Sequence, residues 1–253
     1  MPSEIIAYHQ TALEAARAVA TVLFAGADRT VNFQSARDVK LQADIDSEQV
    51  IREKLALTGL PIIGEEFGGD ATLWDRDELY WVVDPLDGTY NYLRNQPSTC
   101  VSIALMRGRA ALSGVVHDFC GARVYEGVEG RGVSINGVPL KPVWAQTAEE
   151  GCLMTGFPAL ADMSAQALTL FVEQAGRFKK VRMIGSAALA VAYVGTGQAD
   201  VYYENCVNLW DVAAGMALVR AAGGFTELTF SGTRPLCFNV WAAGRKEWMG
   251  CAK

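Results

Sequence analysis

The apolar segments change pattern near the middle of the chain, and this change limits the folds that the chain can adopt. Two segments with helical periodicity, over 3–25 and 44–57, come first, and short apolar runs typical of strands follow them up to Gly127. Beyond that point, runs typical of strands alternate with helical ones, as where 181–184 precedes 186–194. Consecutive short strands indicate an antiparallel meander, whereas alternation indicates an α/β arrangement. The sequence therefore predicts a mixed α/β architecture.

The chain is also predicted to form one folded unit over 1–253. Its approximate halves, 1–145 and 146–253, are not separated by a low-complexity linker, and we find no internal repeat. The predicted strands are 60–63, 79–83, 100–106, 110–116, 123–127, 153–155, 181–184, 199–203, 226–230 and 238–242, and the later helices are 165–175, 186–194 and 210–222.

Composition excludes several classes of function. The 253 residues are 51% hydrophobic and 20% charged, as in folded globular proteins, and no uncharged apolar run is long enough to span a bilayer. Glu4 and the polar residues around it argue against a signal peptide, so we expect a cytoplasmic protein. The net charge is −6 without a lysine or arginine cluster, which argues against a nucleic-acid partner.

The reactive side chains are limited as well. The six cysteines form no CxxC pair and there are only two histidines, so a Cys/His zinc site is not expected. Neither a Walker glycine loop nor a GxGxxG motif occurs. Carboxylates must therefore carry whatever chemistry the chain performs.

Acidic residues gather at points where an apolar run ends or a helix begins. In α/β proteins ligands bind at the carboxyl ends of strands, so such points are candidate sites. They are Gly64-Glu65-Glu66, Asp84-Pro85-Leu86-Asp87-Gly88-Thr89 and Asp211.

The second of these points is the most informative. Asp84 follows a buried strand, Pro85 fixes the turn, and Gly88 allows the backbone to approach a ligand closely. If a helix begins near Thr89, the first amides and the helix dipole favour a phosphate oxygen. Carboxylates for a hard cation beside amides for an anion indicate metal-assisted phosphate chemistry. An Asp-rich surface turn is the alternative.

These motifs resemble the signatures of the inositol monophosphatase family, whose members are magnesium-dependent, lithium-sensitive sugar-phosphate phosphatases. The order and spacing of the motifs agree with the family over nearly the whole chain, which implies its layered αβαβα sandwich. The matching runs are Gly64-Glu65-Glu66, 81–91, Gly185-Ser186-Ala187-Ala188, 200–204 and 210–215.

The resemblance implies a centre of two Mg²⁺ ions, or three. Glu65, Asp84 and the Leu86 carbonyl would hold the first ion, and Asp84, Asp87 and Asp211 would hold the second. Carboxylates this close together repel one another unless cations neutralise them. On this view the first half carries most metal ligands, and the second half supplies Asp211 and the substrate contacts.

The resemblance also implies catalytic residues behind the metal ligands. Asp38 and Thr89 match the pair that orients the attacking water, and Glu66 would support the ligands. The segment 38–44 departs from the family pattern, because Leu41 replaces a threonine and Lys40 enters. This departure bears on the water-orienting network and on a third metal.

Asp44 is a further candidate in that segment. It keeps the family's place for an acid, and its alternative role is the N-cap of the helix over 44–57.

Substrate contacts are expected from two other places. Gly88, Thr89, Ser186 and Ala187 could offer amides or hydroxyls to a substrate, and Glu204 matches the acid that binds substrate hydroxyls. The alternatives are an ordinary N-cap at Ser186 and a solvated strand end at Glu204.

The sequence therefore favours a Mg²⁺-dependent phosphomonoesterase acting on inositol monophosphate or a similar polyol or sugar phosphate. A histidinol-phosphate phosphatase is the alternative within the family. An alternative of another class is a binding partner of transcription antitermination complexes, as some bacterial relatives are. The family also implies a homodimer.

Overall fold

The computed structural model describes residues 3–24, 30–35, 39–159, 161–232 and 234–249 and places three sheets and six helices within them. The helices are α1 (Ser3–Phe24), α2 (Gln42–Leu55), α3 (Thr89–Leu93), α4 (Ala165–Ala175), α5 (Ala187–Gly195) and α6 (Leu209–Ala221). The strands are β1 (Val31–Gln34), β2 (Val39–Leu41), β3 (Ile62–Gly64), β4 (Leu79–Asp87), β5 (Cys100–Arg107), β6 (Ala110–Asp118), β7 (Arg123–Val128), β8 (Gly132–Ile135), β9 (Val138–Leu140), β10 (Cys152–Met154), β11 (Lys180–Arg182), β12 (Val201–Asn208), β13 (Phe225–Phe230) and β14 (Cys237–Ala243). Short 3₁₀ turns cover Ala56–Thr58, Ala71–Asp75, Ala148–Glu150 and Lys246–Trp248.

The largest sheet has seven strands in the order β3-β4-β5-β6-β7-β8-β9. Strand β3 runs parallel to β4, so the predicted antiparallel meander was wrong for its first strand; every later pair in this sheet is antiparallel, as predicted. The second sheet has the order β11-β10-β12-β14-β13, and its first three strands are parallel. A third, two-stranded sheet pairs β1 with β2 in the segment between the first two helices, where the sequence predicted no strand.

The layers follow from the alternation of side chains along β4. Trp81 and Val83 belong to the core beneath α1 and α2, whereas Tyr80 and Val82 belong to the core that contains α5 and α6. Helix α6 also contacts β12, β13 and β14 of the five-stranded sheet. The opposite face of that sheet, with Leu153, packs against a partly buried side chain of α4. The layer order is αβαβα, which confirms the predicted architecture.

Two strands extend beyond their predicted ends. Strand β4 continues through Asp87, with a register irregularity between Asp84 and Asp87, and β12 continues through Asn208, with another after Glu204. The prediction relied on apolar runs, and acidic side chains end those runs before the strands end. Ladder hydrogen bonds join backbone groups and do not require apolar side chains. Irregularities of this kind bend a strand and re-aim its side chains.

The two halves of the chain share a core cluster, in which Tyr80 and Val240 both lie. Their division at residue 145 stays a prediction. Among the described residues, no helix combines the length and apolar character that crossing a membrane requires.

Candidate active site

Three acidic side chains from three elements converge at one edge of the seven-stranded sheet. Because Gly64 pairs with Val83 in the parallel β3-β4 register, the next residues, Glu65 and Asp84, lie at the same edge. Asp211 reaches them from the first turn of α6. One carboxylate oxygen from each of Glu65, Asp84 and Asp211 lies within 4.8 Å of the other two.

The turn that carries Glu65 is fixed from behind by a side chain that the sequence analysis missed. Glu48 of α2 is buried, and its carboxylate accepts the backbone N–H of Glu66 at 2.7 Å and that of Phe67 at 3.3 Å. Arg52 forms an ion pair with Glu48 at 2.7 Å. The only sequence signal was an acid on the predicted helix, which does not distinguish a buried acid from an exposed one.

Asp87 lies beside the group of three and is held by α5. The Ser186 hydroxyl donates to Asp87 Oδ2 at 2.5 Å, and the Ala188 amide donates to the same oxygen at 2.7 Å. The amides of Gly88 and Ala187 are also directed at this carboxylate. The amides of Gly88 and Ala187, which were expected to face a substrate, are thus directed at Asp87 in this structure. Their role toward a substrate stays a prediction.

Gly88 and Ser186 have clear local roles. Gly88 precedes α3 at φ +84°, and a Cβ there would lie 2.5 Å from the Ser98 carbonyl oxygen, so glycine is required. The start of α3 at Thr89 confirms the predicted helix. The Ser186 hydroxyl accepts the Leu189 amide as the N-cap of α5, which confirms the alternative given for that residue.

Thr89 contacts Asp44, whereas Asp38, its expected partner, lies outside the described residues. The Thr89 Oγ is 3.3 Å from Asp44 Oδ1 and 3.0 Å from the Leu86 carbonyl oxygen, to which it donates. Asp44 is not the N-cap of α2, because the helix begins at Gln42 and the Asp44 carboxylate accepts the Leu41 N–H at 2.5 Å. Asp44 is only 2% exposed, and within the described residues it is the carboxylate that Thr89 contacts; that Thr89 orients the attacking water stays a prediction.

Lys40 contacts both acids of the first motif, Glu65 and Glu66. Its Nζ lies 2.6 Å from Glu66 Oε1 and 3.6 Å from Glu65 Oε1. Glu66 therefore has a cation of the chain itself as its partner.

Glu204 is buried and not a solvated strand end. It is 8% exposed, and a Cβ at Gly156 would lie 2.6 Å from its Oε1, so that glycine makes room for the carboxylate. Burial, together with the nearby charge of Asp87, raises the pKa of Glu204 to about 8. Its alternative as an exposed residue was wrong because β12 continues past it into the five-stranded sheet.

One cavity of about 440 Å³ joins these groups. Glu66 and Asp44 are the only predicted site residues of the described part that do not line it. The predicted residues that do line it are Glu65, Asp84, Leu86, Asp87, Gly88, Thr89, Ser186, Ala187, Glu204 and Asp211.

The cavity wall also contains residues that the sequence analysis missed. Asn208 donates from Nδ2 to Asp211 Oδ2 at 3.2 Å, and its Oδ1 accepts a hydrogen bond from Arg234 at 2.5 Å. Asn208 is the N-cap of α6, and the available signal was a polar residue two positions before the predicted helix over 210–222. No sequence signal connected Arg234 to this site.

The electrostatics of the acidic cluster favour a bound cation. Burial, followed by repulsion between neighbouring carboxylates, raises the pKa of both Asp84 and Asp211 well above the usual range. Burial raises the pKa of Glu65 to about 8, although Lys40 opposes this shift, and burial raises the pKa of Asp87 against the hydrogen bonds that it accepts. Within the described residues, no ion pair neutralises Asp84, Asp87 or Asp211. Crowded carboxylate oxygens without cationic partners, buried at Asp84 and partly buried at Asp87 and Asp211, are suitable ligands for a hard divalent cation.

The comparison with family models agrees with this site. The model described as the inositol monophosphatase family matches residues 2–248. The chain belongs to the inositol monophosphatase family. The resemblance of the sequence motifs is thereby confirmed, and the residues of the three acidic motifs lie within the matched range.

Relatives of this inositol monophosphatase family member include proteins with two kinds of name. A Nus factor SuhB from Xylella fastidiosa is 37% identical over 195 residues, which cover 76% of this chain and 70% of that protein. An inositol-1-monophosphatase from Mycobacterium bovis is 35% identical over 188 residues, which cover 71% of this chain and 65% of that protein.

Solved structures of the family match the fold over nearly all of the chain. The extragenic suppressor protein suhB from Bartonella henselae superposes with a TM-score of 0.82 at 27% identity, covering 96% of this chain and 95% of that one. The inositol monophosphatase from Anabaena gives a TM-score of 0.80 at 28% identity, covering 96% and 93%.

Proposed function

We propose that this chain is a Mg²⁺-dependent phosphomonoesterase that hydrolyses inositol monophosphate or a similar polyol phosphate. The observation that carries the proposal is the convergence of Glu65, Asp84 and Asp211 oxygens within 4.8 Å of one another. This convergence lies in a cavity that also contains the Thr89 hydroxyl with its carboxylate partner and the buried acid Glu204, which would accept hydrogen bonds from substrate hydroxyls.

The residues that would hold the metal are Glu65, Asp84, Asp87 and Asp211. Their oxygens are of the hard type that Mg²⁺ prefers. Mg²⁺ bound there would supply a lowered water pKa and neutralise negative charge on the phosphate. The number of ions, two or three, stays a prediction, and so does inhibition by lithium.

The residues of the chain divide the remaining work. Thr89, bonded to Asp44, would hold a water. As the water oxygen bonds to phosphorus, the proton of the water would pass to the Thr89 hydroxyl while that hydroxyl gives its own proton to the Asp44 carboxylate. The ester P–O bond breaks in the same displacement, and the leaving alkoxide takes a proton from solvent. Glu204 would accept hydrogen bonds from hydroxyls of the alcohol and so select polyols over simpler alcohols.

Phosphate release from a panel of monoesters tests this function. The panel contains inositol 1-phosphate, histidinol phosphate, sugar phosphates and an aryl phosphate, each measured with Mg²⁺, with EDTA, and with Mg²⁺ added back. We expect release from at least the polyol phosphates, loss in EDTA and recovery with Mg²⁺, and no comparable release by Glu65→Gln. Release that is unchanged in EDTA, or no release from any ester with Mg²⁺, would contradict the proposal.

The same panel separates the alternative within the family. A buried acid such as Glu204 could also bind a cationic amine, so histidinol phosphate is the second substrate to compare. A higher kcat/KM for histidinol phosphate than for inositol 1-phosphate would make histidinol phosphate the preferred substrate. The reaction class, phosphomonoester hydrolysis, would be unchanged.

The relatives named Nus factor SuhB favour a binding role as a second candidate function. The experiment is a pull-down with the wild-type chain and with Glu65→Gln, which should bind partners equally if binding does not depend on catalysis. Absence of a retained partner would count against this role. The predicted homodimer is tested separately by light scattering of the purified chain.

A further inference from the structure

Lys40 is the one basic side chain whose ion pairs with the acids of the metal-binding motifs are resolved within the described residues. Its ammonium lies 2.6 Å from Glu66 Oε1 and 3.6 Å from Glu65 Oε1, and its side chain is 31% exposed. Lys40 also lines the cavity beside Glu65 and Asp84. It therefore touches a proposed metal ligand directly from inside the site.

The backbone on both sides of this contact is held in place. On one side, the Asp44 carboxylate accepts the amide of Leu41, the residue that follows Lys40. On the other side, Glu48 accepts the amide of Glu66. Lys40 and the acids that it contacts therefore lie on two separately anchored segments, which distinguishes this contact from that of a surface lysine that meets an acid by chance.

The charge balance gives this contact a consequence. Burial and the charge of Glu66 raise the pKa of Glu65 and of Asp44, and the charge of Lys40 opposes this rise at both residues. The Lys40 ammonium, hydrogen-bonded to Glu66 and 3.6 Å from Glu65, supplies part of the positive charge that divalent cations would otherwise supply. It also repels any divalent cation that binds through Glu65.

We infer that Lys40 is a tethered cation of the metal centre: it neutralises the Glu65–Glu66 side of the acidic cluster and so reduces the uptake of divalent ions there. This inference rests on the proposed function, because it requires that the cluster binds metal. Because Lys40 is part of the chain, a chelator cannot remove it. Its positive charge therefore stays in the site whether or not divalent ions are bound.

Equilibrium dialysis with Mn²⁺ as the probe tests the inference without using activity. The proteins are the wild-type chain, Lys40→Gln, Lys40→Arg and Lys179→Gln, an exposed lysine that does not line the cavity and that gives the same change in net charge. Circular dichroism and thermal unfolding establish that each variant is folded. If Lys40→Gln does not fold, Lys40→Met takes its place, because its unbranched side chain preserves the packing of the stem.

The expected result is that Lys40→Gln reaches half-saturation of its weakest site at about tenfold lower free Mn²⁺ than the wild type, or binds one more ion per chain. One unit charge within a few ångströms of a bound divalent cation is sufficient for a change of this order even when it is partly screened. Lys40→Arg and Lys179→Gln should follow the wild-type isotherm. A further expectation is that added salt narrows the difference between Lys40→Gln and the wild type.

Other results would overturn the inference in a recognisable way. If the isotherm of Lys40→Gln coincides with that of the wild type, Lys40 does not act on the metal centre. If Lys179→Gln shifts the isotherm equally, the effect belongs to net charge and not to Lys40. If the wild type binds no Mn²⁺ at all, the proposed function fails, and the inference fails with it for a separately visible reason.

Discussion

Gly64 lies directly against the Glu48 carboxylate, so closely that a Cβ on Gly64 would be 2.1 Å from Glu48 Oε1. The missing side chain lets a buried acid of α2 reach the turn after β3 and accept two of its amides. That turn carries Glu65 into the site. The position of one proposed metal ligand therefore depends on a helix that contributes no metal ligand of its own.

Replacing Glu48 should consequently weaken both the fold and the metal centre. Glu48→Gln removes a charged acceptor from two amides, and hydrogen bonds to charged groups contribute roughly 1.5–3 kcal/mol. We expect the free energy of unfolding to fall by about 2 kcal/mol, in line with that range, and Mn²⁺ affinity to fall with it. Urea unfolding and equilibrium dialysis measure the two effects.

Glu53→Gln is the matched control, because Glu53 lies on the same helix, is exposed and undergoes the same loss of charge. It should leave Mn²⁺ affinity unchanged. Equal Mn²⁺ affinity in Glu48→Gln and the wild type would show that the turn does not need this carboxylate.

Removing one charge from the acidic cluster should affect the metal-free and the metal-bound protein differently. Asp87→Asn and Asp211→Asn each relieve repulsion among the carboxylates, which offsets the loss of a charged hydrogen-bond acceptor, so in EDTA the melting temperature should change little. The stabilisation that Mg²⁺ binding gives to each variant should be smaller than in the wild type, since each tenfold loss of Mg²⁺ affinity removes about 1.4 kcal/mol of it.

Thermal unfolding with and without Mg²⁺ measures both effects, and Asp75→Asn, an exposed acid outside the cavity, is the control. If Mg²⁺ raised the melting temperature of a variant as much as that of the wild type, the altered residue would not be a Mg²⁺ ligand.

The contact between Thr89 and Asp44 predicts a loss of turnover without an equal loss of binding. Thr89→Val keeps the shape of the side chain but removes the hydroxyl that bonds Asp44 and the Leu86 carbonyl. Because a proton-accepting group contributes about 10²–10⁴-fold to rate, kcat should fall in that range while KM changes little. Steady-state kinetics on the best substrate of the panel measure this.

Thr89→Ser retains the hydroxyl and should keep most of the activity, which separates the chemistry from the packing. Asp44→Asn should reproduce the loss of kcat if the two residues act as a pair. Wild-type kcat in Thr89→Val would mean that the water is activated without this hydroxyl.

The sequence sufficed for the parts of the site that are encoded locally. Asp84 and Asp87 share one strand end, so their proximity follows from the chain itself, and the parallel pairing of β3 with β4 adds Glu65. The alternation of strands and helices likewise sufficed for the layered architecture. These features depend on spacing along one segment or on the pairing of adjacent strands.

What the sequence could not provide depends on side chains that meet across separate elements. In the sequence Glu48 cannot be distinguished from an exposed helix acid, and within the described residues Arg234 is connected to Asp211 through the Asn208 side-chain amide. Lys40 is a departure from a motif in the sequence and an ion-pair partner of Glu66 in the structure. No spacing rule predicts such contacts, because they are set by the packing of helices and loops on the sheet.

Glu204 is the residue with which substrate choice can be examined apart from the metal centre. Its buried carboxylate faces the cavity, and both bound cations and substrate hydroxyls would favour its charged form over the neutral one. A charged acceptor contributes roughly 1.5–3 kcal/mol for each hydrogen bond from a hydroxyl. Glu204→Gln should therefore lower kcat/KM for a polyol phosphate by about ten- to a hundredfold.

An aryl phosphate is the internal control for that variant, because it lacks the hydroxyls and should be hydrolysed nearly as well as by the wild type. Histidinol phosphate should lose more than the aryl ester, since its cationic amine would feel the missing charge directly. Parallel losses on polyol and aryl phosphates would instead assign Glu204 to support of the metal centre or of the β12 strand end. An unchanged kcat/KM on both would mean that the alcohol never contacts this carboxylate, and the selectivity of the site would then have to come from another part of the cavity wall.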